Sequence, residues 1–222
     1  MILYRFSPHT RTLIFDMDMT LYTNEEYLRS QIDGPIRRFA EIRGAGFEAV
    51  KRELAAFQEA WKTAHGAPAG LGSVFQAFGI PIEEIIRWRE ELCRPEAYLS
   101  ADPQLRQSLS SLASRYALAL LTNNPVLVAQ KTLRVLGVED LFPVLVGLDT
   151  CGVSKPHEEP LRRTAALSGS PFERCASIGD RYAIDIALPL ELGMGGVLVD
   201  GVEDVYTLPA VLDRVHLPNV SG

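Results

Sequence analysis

The chain has 222 residues, 47% of them apolar and 23% charged, a balance typical of a globular protein with one large domain, with or without an insertion. Its formal net charge of −6 argues against a nucleic-acid polymer or an anionic membrane surface as its partner. A small anionic substrate is compatible with this charge, because one bound metal ion can invert the local field.

The first predicted elements are one strand and a series of helices. The segment "RTLIFD" is apolar without alternation, which predicts a strand buried on both faces. Thr23, followed three residues later by Glu26, predicts a capping box at the start of a helix. Apolar residues then recur at spacings of three and four between Leu28 and Trp61, the period of amphipathic helices. Only helical signals are found from residue 22 to about residue 97.

Strand and helix signals alternate after this helical stretch. The segments "YALALLTNN", "FPVLVGL", "CASIGD" and "GGVLVD" each predict a strand, and helical segments separate them. This alternation predicts an α/β core with a parallel sheet covered on both faces. The core would comprise residues 1–22 and 98–222, with an all-helical insertion at 23–97. Since ligands of open α/β sheets bind beyond the carboxyl ends of the strands, the insertion is expected to roof the site.

Polar residues follow four of the predicted strands, and parallel strands would bring them to one edge of the sheet. They are Asp16 and Asp18, Thr122 and Asn123, Lys155, and Asp180 and Asp185. Three carboxylates with one lysine make a plausible Mg²⁺ and phosphate site, because Mg²⁺ prefers hard oxygen ligands. Crowded carboxylates of this kind need a compensating cation.

These residue types suit phosphoryl transfer. Asp16 is a candidate nucleophile that would form an aspartyl phosphate, and Asp18 is placed to protonate a leaving oxygen and later to deprotonate a water. Thr122 and Asn123 offer a hydroxyl and backbone N–H groups to the non-bridging phosphoryl oxygens. Lys155 offers a fixed positive charge to the same oxygens.

Some of these residues also have structural interpretations. Asp185 could instead pair with Arg181 one helical turn away, and Asn123 also suits the turn at a helix start. His65 and Gly70 lie in or beside a glycine-rich loop that could line the substrate pocket, although a lone histidine is more often a surface or core residue. The insertion's arginines are expected to be solvated helix charges: Arg37, Arg38, Arg87 and Arg89.

The motifs "DMDMT", "LLTN", "SKP" and "GDRYAID" resemble, in this order, the four motifs of the haloacid dehalogenase superfamily. The resemblance covers the core on both sides of the insertion and implies a Rossmann-like core with a helical cap. It implies that Asp16 is the nucleophile and that Asp18 is the general acid and base. It also implies Mg²⁺ bound by the Asp16 carboxylate, the Asp18 backbone carbonyl and Asp180.

The same resemblance implies roles for the neighbouring residues. Thr122 and Lys155 would hold phosphate, and Asp185 would support Lys155 and the water shell of the metal. Thr20 would brace the turn after the nucleophile. Met19 departs from the family pattern, because that position more often holds Gly or Asn, and this bears on the local backbone.

The insertion points to a substrate class. The segments "AHGAPAGLGSVFQAFGI" and "CRPEAYLSADPQLRQSLSSL" resemble the pyrimidine 5′-nucleotidase-like branch of the superfamily. The chain as a whole resembles the pyrimidine 5′-nucleotidase-like or phosphoglycolate phosphatase-like branch. The leading hypothesis is a Mg²⁺-dependent phosphomonoesterase acting on a small phosphorylated metabolite, with pyrimidine nucleoside 5′-monophosphates as the first candidates. The alternatives are a phosphoglycolate or sugar phosphatase, a phosphomutase, a metal-independent dehalogenase and a non-catalytic phosphate-binding regulatory protein.

The remaining signals concern location and partners. The three cysteines form no CxxC pair, which favours reduced thiols in a cytoplasmic protein. The N-terminal apolar run, Leu13 to Phe15, is too short for a signal peptide, and no stretch approaches the roughly 20 apolar residues of a membrane span. A cytoplasmic protein that binds neither membrane nor nucleic acid is expected, as a monomer or a dimer.

Overall fold

The computed structural model describes residues 1–66 and 69–216, except for the side chain of residue 216. The strands are β1 (Ile2–Tyr4), β2 (Thr12–Phe15), β3 (Ala117–Leu121), β4 (Val144–Val146), β5 (Cys175–Gly179) and β6 (Gly195–Leu198). The α-helices are α1 (Glu25–Arg43), α2 (Phe47–His65), α3 (Leu71–Ala77), α4 (Ile82–Leu92), α5 (Pro103–Ala113), α6 (Val126–Leu136), α7 (Leu148–Cys151), α8 (Glu158–Leu167), α9 (Ala187–Glu191) and α10 (Val202–His216). A π-helical turn (Tyr182–Ile186) precedes α9.

The strands form one sheet in the order β1-β6-β5-β2-β3-β4. All neighbours are parallel except β1, which is antiparallel to β6. Phe15 at the end of the central strand β2 is level with Leu120 on one side and Ile178 on the other. The residues that follow these strands therefore emerge at one edge. The predicted α/β class with a mainly parallel, Rossmann-like sheet is confirmed.

Both faces of the sheet are covered by helices. Along β2, Leu13 and Phe15 belong to a cluster that includes Leu109 of α5 and Leu208 of α10. Ile14, between them, belongs to a cluster on the opposite face that includes residues of α8. Since successive side chains of a strand point to opposite faces, the unbroken apolar run of β2 is explained by burial on both sides.

Helices α1–α4 form an insertion between β2 and β3, and the described residues between 23 and 97 contain no strand. The insertion has its own hydrophobic cluster, which is formed by residues between Ile36 and Trp88. Phe75 packs edge-to-face on Trp88 with ring centroids 5.8 Å apart. The insertion therefore buries apolar surface separately from the sheet.

The predicted capping box at Thr23 is wrong by one residue. Asn24 is the N-cap of α1, and its Oδ1 accepts a hydrogen bond of 2.8 Å from the Tyr27 backbone N–H. Thr23 Oγ1 instead accepts a hydrogen bond of 3.0 Å from Val202 N–H at the start of α10. Both residue types are good N-caps, and a tertiary contact decides between them. The edge strand β1 was also not predicted, because a strand of three residues is too short to show a hydrophobic periodicity.

Two further expectations concern cysteines and membranes. Cys93, Cys151 and Cys175 are all free thiols. Among the described residues, no helix combines the length and apolar character needed to cross a bilayer.

Candidate active site

Three carboxylates and one lysine meet at the carboxyl edge of the sheet. Carboxylate oxygens of Asp16, Asp180 and Asp185 lie within 4.8 Å of one another. Lys155 Nζ donates to Asp16 Oδ1 at 2.6 Å and to Asp185 Oδ1 at 2.7 Å. Asp16, Asp185 and Lys155 are all buried. One lysine therefore faces three crowded acids.

The crowding changes the titration of the cluster. Burial raises the pKa of Asp16 to about 7, helped by the charges of Asp185 and Asp18 and opposed by Lys155. Burial also raises the pKa of Asp180 above its usual range. For Lys155, burial acts to lower the pKa, but the carboxylates of Asp16 and Asp185 outweigh it and the net pKa is raised. Lys155 thus stays charged, and it faces the acids together with Arg181, whose Nε lies 3.7 Å from Asp180 Oδ1 and 3.9 Å from Asp185 Oδ2.

The donor set of this cluster fits a hard divalent cation. Asp16 Oδ2 and Asp180 Oδ1 are buried and accept no hydrogen bond from any residue within 1–66 or 69–216. The cation nearest to Asp180 Oδ1 is Arg181, whose Nε is 3.7 Å away. Buried carboxylate oxygens without donors are costly unless a cation meets them, and oxygen ligands of this kind suit Mg²⁺.

Asp185 contacts both Lys155 and Arg181, and the predicted pairing with the Arg181 side chain is a distance of 3.9 Å between Nε and Oδ2; its role in the water shell of a metal stays a prediction. Its Oδ1 accepts from Lys155, and its Oδ2 accepts a hydrogen bond of 3.1 Å from Arg181 N–H. A Cβ atom at Gly179 would lie 2.4 Å from Asp185 Cβ, so only glycine fits at the end of β5. Gly179 therefore gives Asp185 the room to reach Lys155.

Three donors hold the Asp18 carboxylate. Its Oδ1 accepts from Tyr22 OH and, at 2.9 Å, from Gln31 Nε2 on α1. Its Oδ2 accepts from Asn124 Nδ2 at 2.8 Å. The same Asn124 nitrogen donates to Gln31 Oε1 at 2.7 Å. Asp18 is therefore oriented jointly by the core and by the insertion.

The sequence did not predict Gln31 or Asn124 as site residues. Gln31 lies one helical turn from Tyr27 and from Pro35, both buried, and it is itself buried. A polar side chain on a buried helix face was the available signal, since buried amides need partners. Asn124 follows the predicted Asn123 directly, and its loop is packed tightly: a Cβ at Gly147 would lie 2.6 Å from Asn124 O.

Thr122 and Asn123 lie at the end of β3, and their side chains organise neighbouring loops. Thr122 is buried, and its Oγ1 accepts a hydrogen bond of 3.1 Å from Asn124 N–H. Asn123 Oδ1 accepts from Lys155 N–H at 2.7 Å, and its Nδ2 donates to Lys155 O at 3.3 Å. Asn123 thus fixes the backbone that carries the lysine, a contact that spans two loops rather than the local turn considered from the sequence.

The turn after Asp16 is held by backbone groups. Met17 O accepts from Thr20 N–H at 3.3 Å and from Leu21 N–H at 2.9 Å. The Thr20 hydroxyl is buried and bonds to no residue within the described ranges, so the bracing expected of this side chain is not observed. Met19 has a φ of +59°, in the left-handed region that favours glycine or asparagine. Met19 therefore adopts a backbone conformation that suits the Gly or Asn expected at this position from the resemblance.

A cavity of about 360 Å³ lies between the core and the insertion. From the core it is lined by Asp18, Met19, Asn123, Asn124, Ser154, Lys155, Asp180, Arg181 and Ile184. From the insertion it is lined by Leu28, Gln31, Ile32, Ile36, Lys51, Leu54, Ala55, Gln58, Ala69, Gly70, Leu71, Gly72 and Arg89. Asp16 and Thr122 are buried and are not among the lining residues.

The two insertion residues predicted for the pocket differ in position. Gly70 lines the cavity, and a Cβ there would lie 3.4 Å from Ser154 of the core. His65 is exposed at the end of α2, and its ring stacks on Trp61 with centroids 4.0 Å apart. His65 is not among the lining residues because its helix ends outside the cavity. Residues 67 and 68 of this loop lie outside the described residues.

The expectation that Arg89 is a solvated helix charge is wrong. Only 8% of Arg89 is exposed, and it lies on the buried face of α4 with Ile85 and Trp88. Its Nη1 donates to Asn124 Oδ1 at 2.5 Å. Helical spacing alone does not distinguish this arginine from its exposed neighbour Arg87, since the distinction depends on what α4 packs against.

The chain resembles curated phosphoglycolate phosphatases over part of its length. It is 39% identical over 72 residues to the phosphoglycolate phosphatase of Colwellia psychrerythraea, which covers 32% of each chain. It is 30% identical over 101 residues to that of Aquifex aeolicus, which covers 45% of this chain and 47% of the relative. The chain thus spans about a third to a half of the length of these relatives.

Solved structures share the fold over nearly the whole chain. An HAD phosphatase from Thermococcus onnurineus superposes with a TM-score of 0.63 and 17% identity, covering 91% of this chain and 98% of the other. CbbY from Rhodobacter sphaeroides, in complex with phosphate, superposes with a TM-score of 0.61 and 17% sequence identity. The match covers 86% of this chain and 87% of CbbY. The family described as haloacid dehalogenase-like hydrolase matches residues 10–193, which include all four motifs. The chain therefore belongs to the haloacid dehalogenase-like hydrolase family.

Proposed function

We propose that this protein is a Mg²⁺-dependent phosphomonoesterase that works through an aspartyl phosphate on Asp16. One observation carries the proposal: Asp16 is buried in a cluster of acids, and Lys155 fixes one of its oxygens while the other has no donor among the described residues. A fixed carboxylate with a free oxygen is suited to attack phosphorus. The crowded acids around it fit a cation that an anionic substrate also needs.

In the first step, an Asp16 carboxylate oxygen forms a bond to phosphorus while the bond from phosphorus to the alcohol oxygen breaks. The departing oxygen takes a proton from Asp18, and an alcohol leaves. Asp18 lines the cavity, and Tyr22, Gln31 and Asn124 hold its carboxyl group in one orientation.

In the second step, Asp18 removes a proton from a water molecule whose oxygen attacks the phosphorus of the aspartyl phosphate. The bond from phosphorus to Asp16 breaks, which releases inorganic phosphate and restores the carboxylate. Lys155, with Thr122 and Asn123, would hold the non-bridging phosphoryl oxygens during both steps. Asp185 keeps Lys155 in place through the bond between its Oδ1 and Nζ.

The residues that would hold Mg²⁺ are Asp16, Asp180 and the backbone carbonyl of Asp18. When bound, the ion would neutralise negative charge on both the carboxylates and the phosphoryl oxygens. Two carboxylate oxygens that have no donor in the described part of the chain, Asp16 Oδ2 and Asp180 Oδ1, support this assignment.

Small esters of the phosphoglycolate type are proposed as substrates ahead of pyrimidine nucleotides. The curated relatives described above are named phosphoglycolate phosphatases, which favours the alternative considered from the sequence over its first candidate.

Residues 23–97 are proposed to form a cap domain over a core of 1–22 and 98–222, with hinges near 22–24 and 94–100. Its separate hydrophobic cluster supports this division. The cytoplasm is the proposed location.

The test is phosphate release from phosphoglycolate, UMP, CMP and several sugar phosphates, each with Mg²⁺ and with EDTA. Release that requires Mg²⁺ and stops in EDTA is the expected result. Release that continues in EDTA contradicts the metal assignment. If no ester releases phosphate, the phosphatase proposal is wrong, and conversion of a sugar bisphosphate or turnover-free phosphate binding would identify a mutase or a binding protein.

A further inference from the structure

Four cationic side chains line the cavity, and they differ in how their charge is balanced. Lys155 and Arg181 pair with the acidic cluster. Lys51 pairs with Asp33, whose Oδ1 is 2.8 Å from Nζ. For Arg89, no carboxylate lies within ion-pair distance in the described part of the chain. Arg89 is therefore the unbalanced charge among the four.

Arg89 is also poorly satisfied by hydrogen bonds. Its Nη1 donates to the neutral side chain of Asn124, and its buried Nε donates to no residue within 1–66 or 69–216. Arg89 is only 8% exposed, and burying a guanidinium without an ion-pair partner is costly in free energy; Asp18 attracts its charge from beyond ion-pair distance. Since Arg89 also lines the cavity, an anionic group of the ligand is the missing partner that the structure allows.

The position of Arg89 indicates which part of the ligand carries this anion. Asn124 accepts from Arg89 through Oδ1 and donates to Asp18 through Nδ2. Asp18 is the residue proposed to protonate the leaving alcohol oxygen. The Asn124 amide therefore bridges the two residues, and Arg89 lies one side chain away from the residue proposed to protonate the leaving oxygen.

We propose that Arg89 is a specificity-determining residue that binds a carboxylate on the alcohol part of the phosphate ester. This inference rests on the phosphatase function proposed above and narrows its substrates to phosphorylated hydroxy acids. A planar carboxylate matches the planar guanidinium and supplies one negative charge to one unbalanced cation. A second phosphate group would bring about two negative charges, more than Arg89 balances.

The test compares two esters that differ only in this group. Phosphoglycolate carries a carboxylate, and its neutral analogue glycolamide phosphate carries an amide of similar size. For the wild-type protein with Mg²⁺, kcat/KM is expected to favour phosphoglycolate by about 10- to 100-fold, the range for a hydrogen bond to a charged group. UMP, which has no carboxylate, is expected to be the poorer substrate as well.

The preference should depend on Arg89. In Arg89→Met the ratio of the two kcat/KM values is expected to fall close to one, and Arg89→Lys should restore part of it by returning the charge. The matched control is Arg87→Met on the same helix, because Arg87 is exposed and pairs with Glu84. Arg87→Met is expected to keep the wild-type ratio.

Each other outcome overturns a stated part of the proposal. If wild-type protein hydrolyses both esters equally, or prefers UMP or a sugar bisphosphate, the carboxylate subsite is wrong while the phosphatase function stands. If Arg89→Met lowers kcat/KM for both esters by the same factor, Arg89 acts on Asp18 through Asn124, and the proposed carboxylate subsite is again wrong. If Arg89→Met does not fold, the same ratio of kcat/KM values is measured in the wild-type protein and in Arg89→Gln, and a wild-type ratio that persists in Arg89→Gln overturns the subsite. If no ester is hydrolysed, the phosphatase function itself fails.

Discussion

The sheet edge and the helical insertion contribute to the same cavity in different ways. The edge supplies Asp16 and Asp180, which directly follow β2 and β5, and Lys155, whose Nζ is held by Asp16 and Asp185. The insertion supplies Gln31, which donates directly to Asp18 and accepts from Asn124, and Arg89, which is linked to Asp18 through the neutral side chain of Asn124. The acids proposed for the chemistry thus lie at the ends of strands, and the residue proposed for recognition lies on a helix of the insertion.

The largest effect is expected from substituting the proposed nucleophile at the sheet edge. Asp16→Asn should lower phosphate release by roughly 10⁵-fold, because a neutral amide does not form the aspartyl phosphate. The fold should persist, since Lys155 keeps Asp185 as a partner. Phosphate release and thermal unfolding are the measurements, and Asp213→Asn, which changes an exposed carboxylate on α10, is the control. Activity within tenfold of wild type would contradict the assignment of the nucleophile.

The next effect separates the acid and base from the nucleophile. Asp18→Asn should slow turnover by about 10²–10⁴-fold, the usual contribution of general acid–base catalysis. The loss should be smaller for an ester with a good leaving group, such as p-nitrophenyl phosphate, because its departing oxygen needs less protonation. Equal losses for p-nitrophenyl phosphate and phosphoglycolate would argue that Asp18 does not protonate the leaving group.

A change outside the charged set tests how strictly the sheet edge is fixed. Gly179→Ala would place a methyl group 2.4 Å from Asp185 Cβ, so either the end of β5 or Asp185 must move. Activity should fall by about 10²-fold, the effect of a small misplacement of a catalytic site, and the midpoint of thermal unfolding should fall as well. Gly169→Ala is a useful comparison for thermal unfolding, because a Cβ at Gly169 meets nothing within 4 Å although its φ is +64°. Unchanged activity in Gly179→Ala would show that the position of Asp185 is not critical.

A smaller effect tests the contribution of the insertion. Gln31→Leu removes one donor from Asp18 and one acceptor from Asn124, so kcat should fall by about tenfold while the fold remains. Gln76→Leu is the matched control, because Gln76 is exposed on α3 in the same insertion. If Gln31→Leu retains the wild-type kcat, the core alone orients Asp18, and the claim that the insertion contributes to this orientation is wrong.

The smallest effect concerns backbone strain beside the nucleophile. Met19→Gly should raise the free energy of unfolding by about 1 kcal/mol, because glycine adopts the observed φ of +59° without steric cost. Arg5→Gly provides a second case, since Arg5 has a φ of +47° outside the site. Urea unfolding measures both. A loss of stability in Met19→Gly alone would show that packing of the Met19 side chain outweighs the strain.

The same contrast explains what the sequence predicted. Residues at the ends of parallel strands could be grouped from the order of elements alone, because the sheet brings those ends to one edge. Asp16, Lys155, Asp180 and Asp185 do lie together there. Their catalytic roles stay predictions.

The insertion was less predictable, because a helical period shows that a face is buried without showing what it meets. Gln31 and Arg89 lie on buried faces of α1 and α4, and their partner Asn124 is far from both in the sequence. His65, chosen for its chemistry in a loop, is exposed and outside the cavity. The shift of the α1 cap from Thr23 to Asn24 has the same cause, a tertiary contact with α10.

The central claim is that Asp16 becomes phosphorylated at the sheet edge, and a fluoride analogue tests it without relying on turnover. Beryllium trifluoride added with Mg²⁺ forms a stable mimic of an aspartyl phosphate, which fluorine NMR detects as bound signals. We expect these signals in the wild-type protein and in Asp18→Asn, and their loss in Asp16→Asn or when EDTA is added. Bound signals that persist in Asp16→Asn, or that never form in the wild-type protein, would contradict the account.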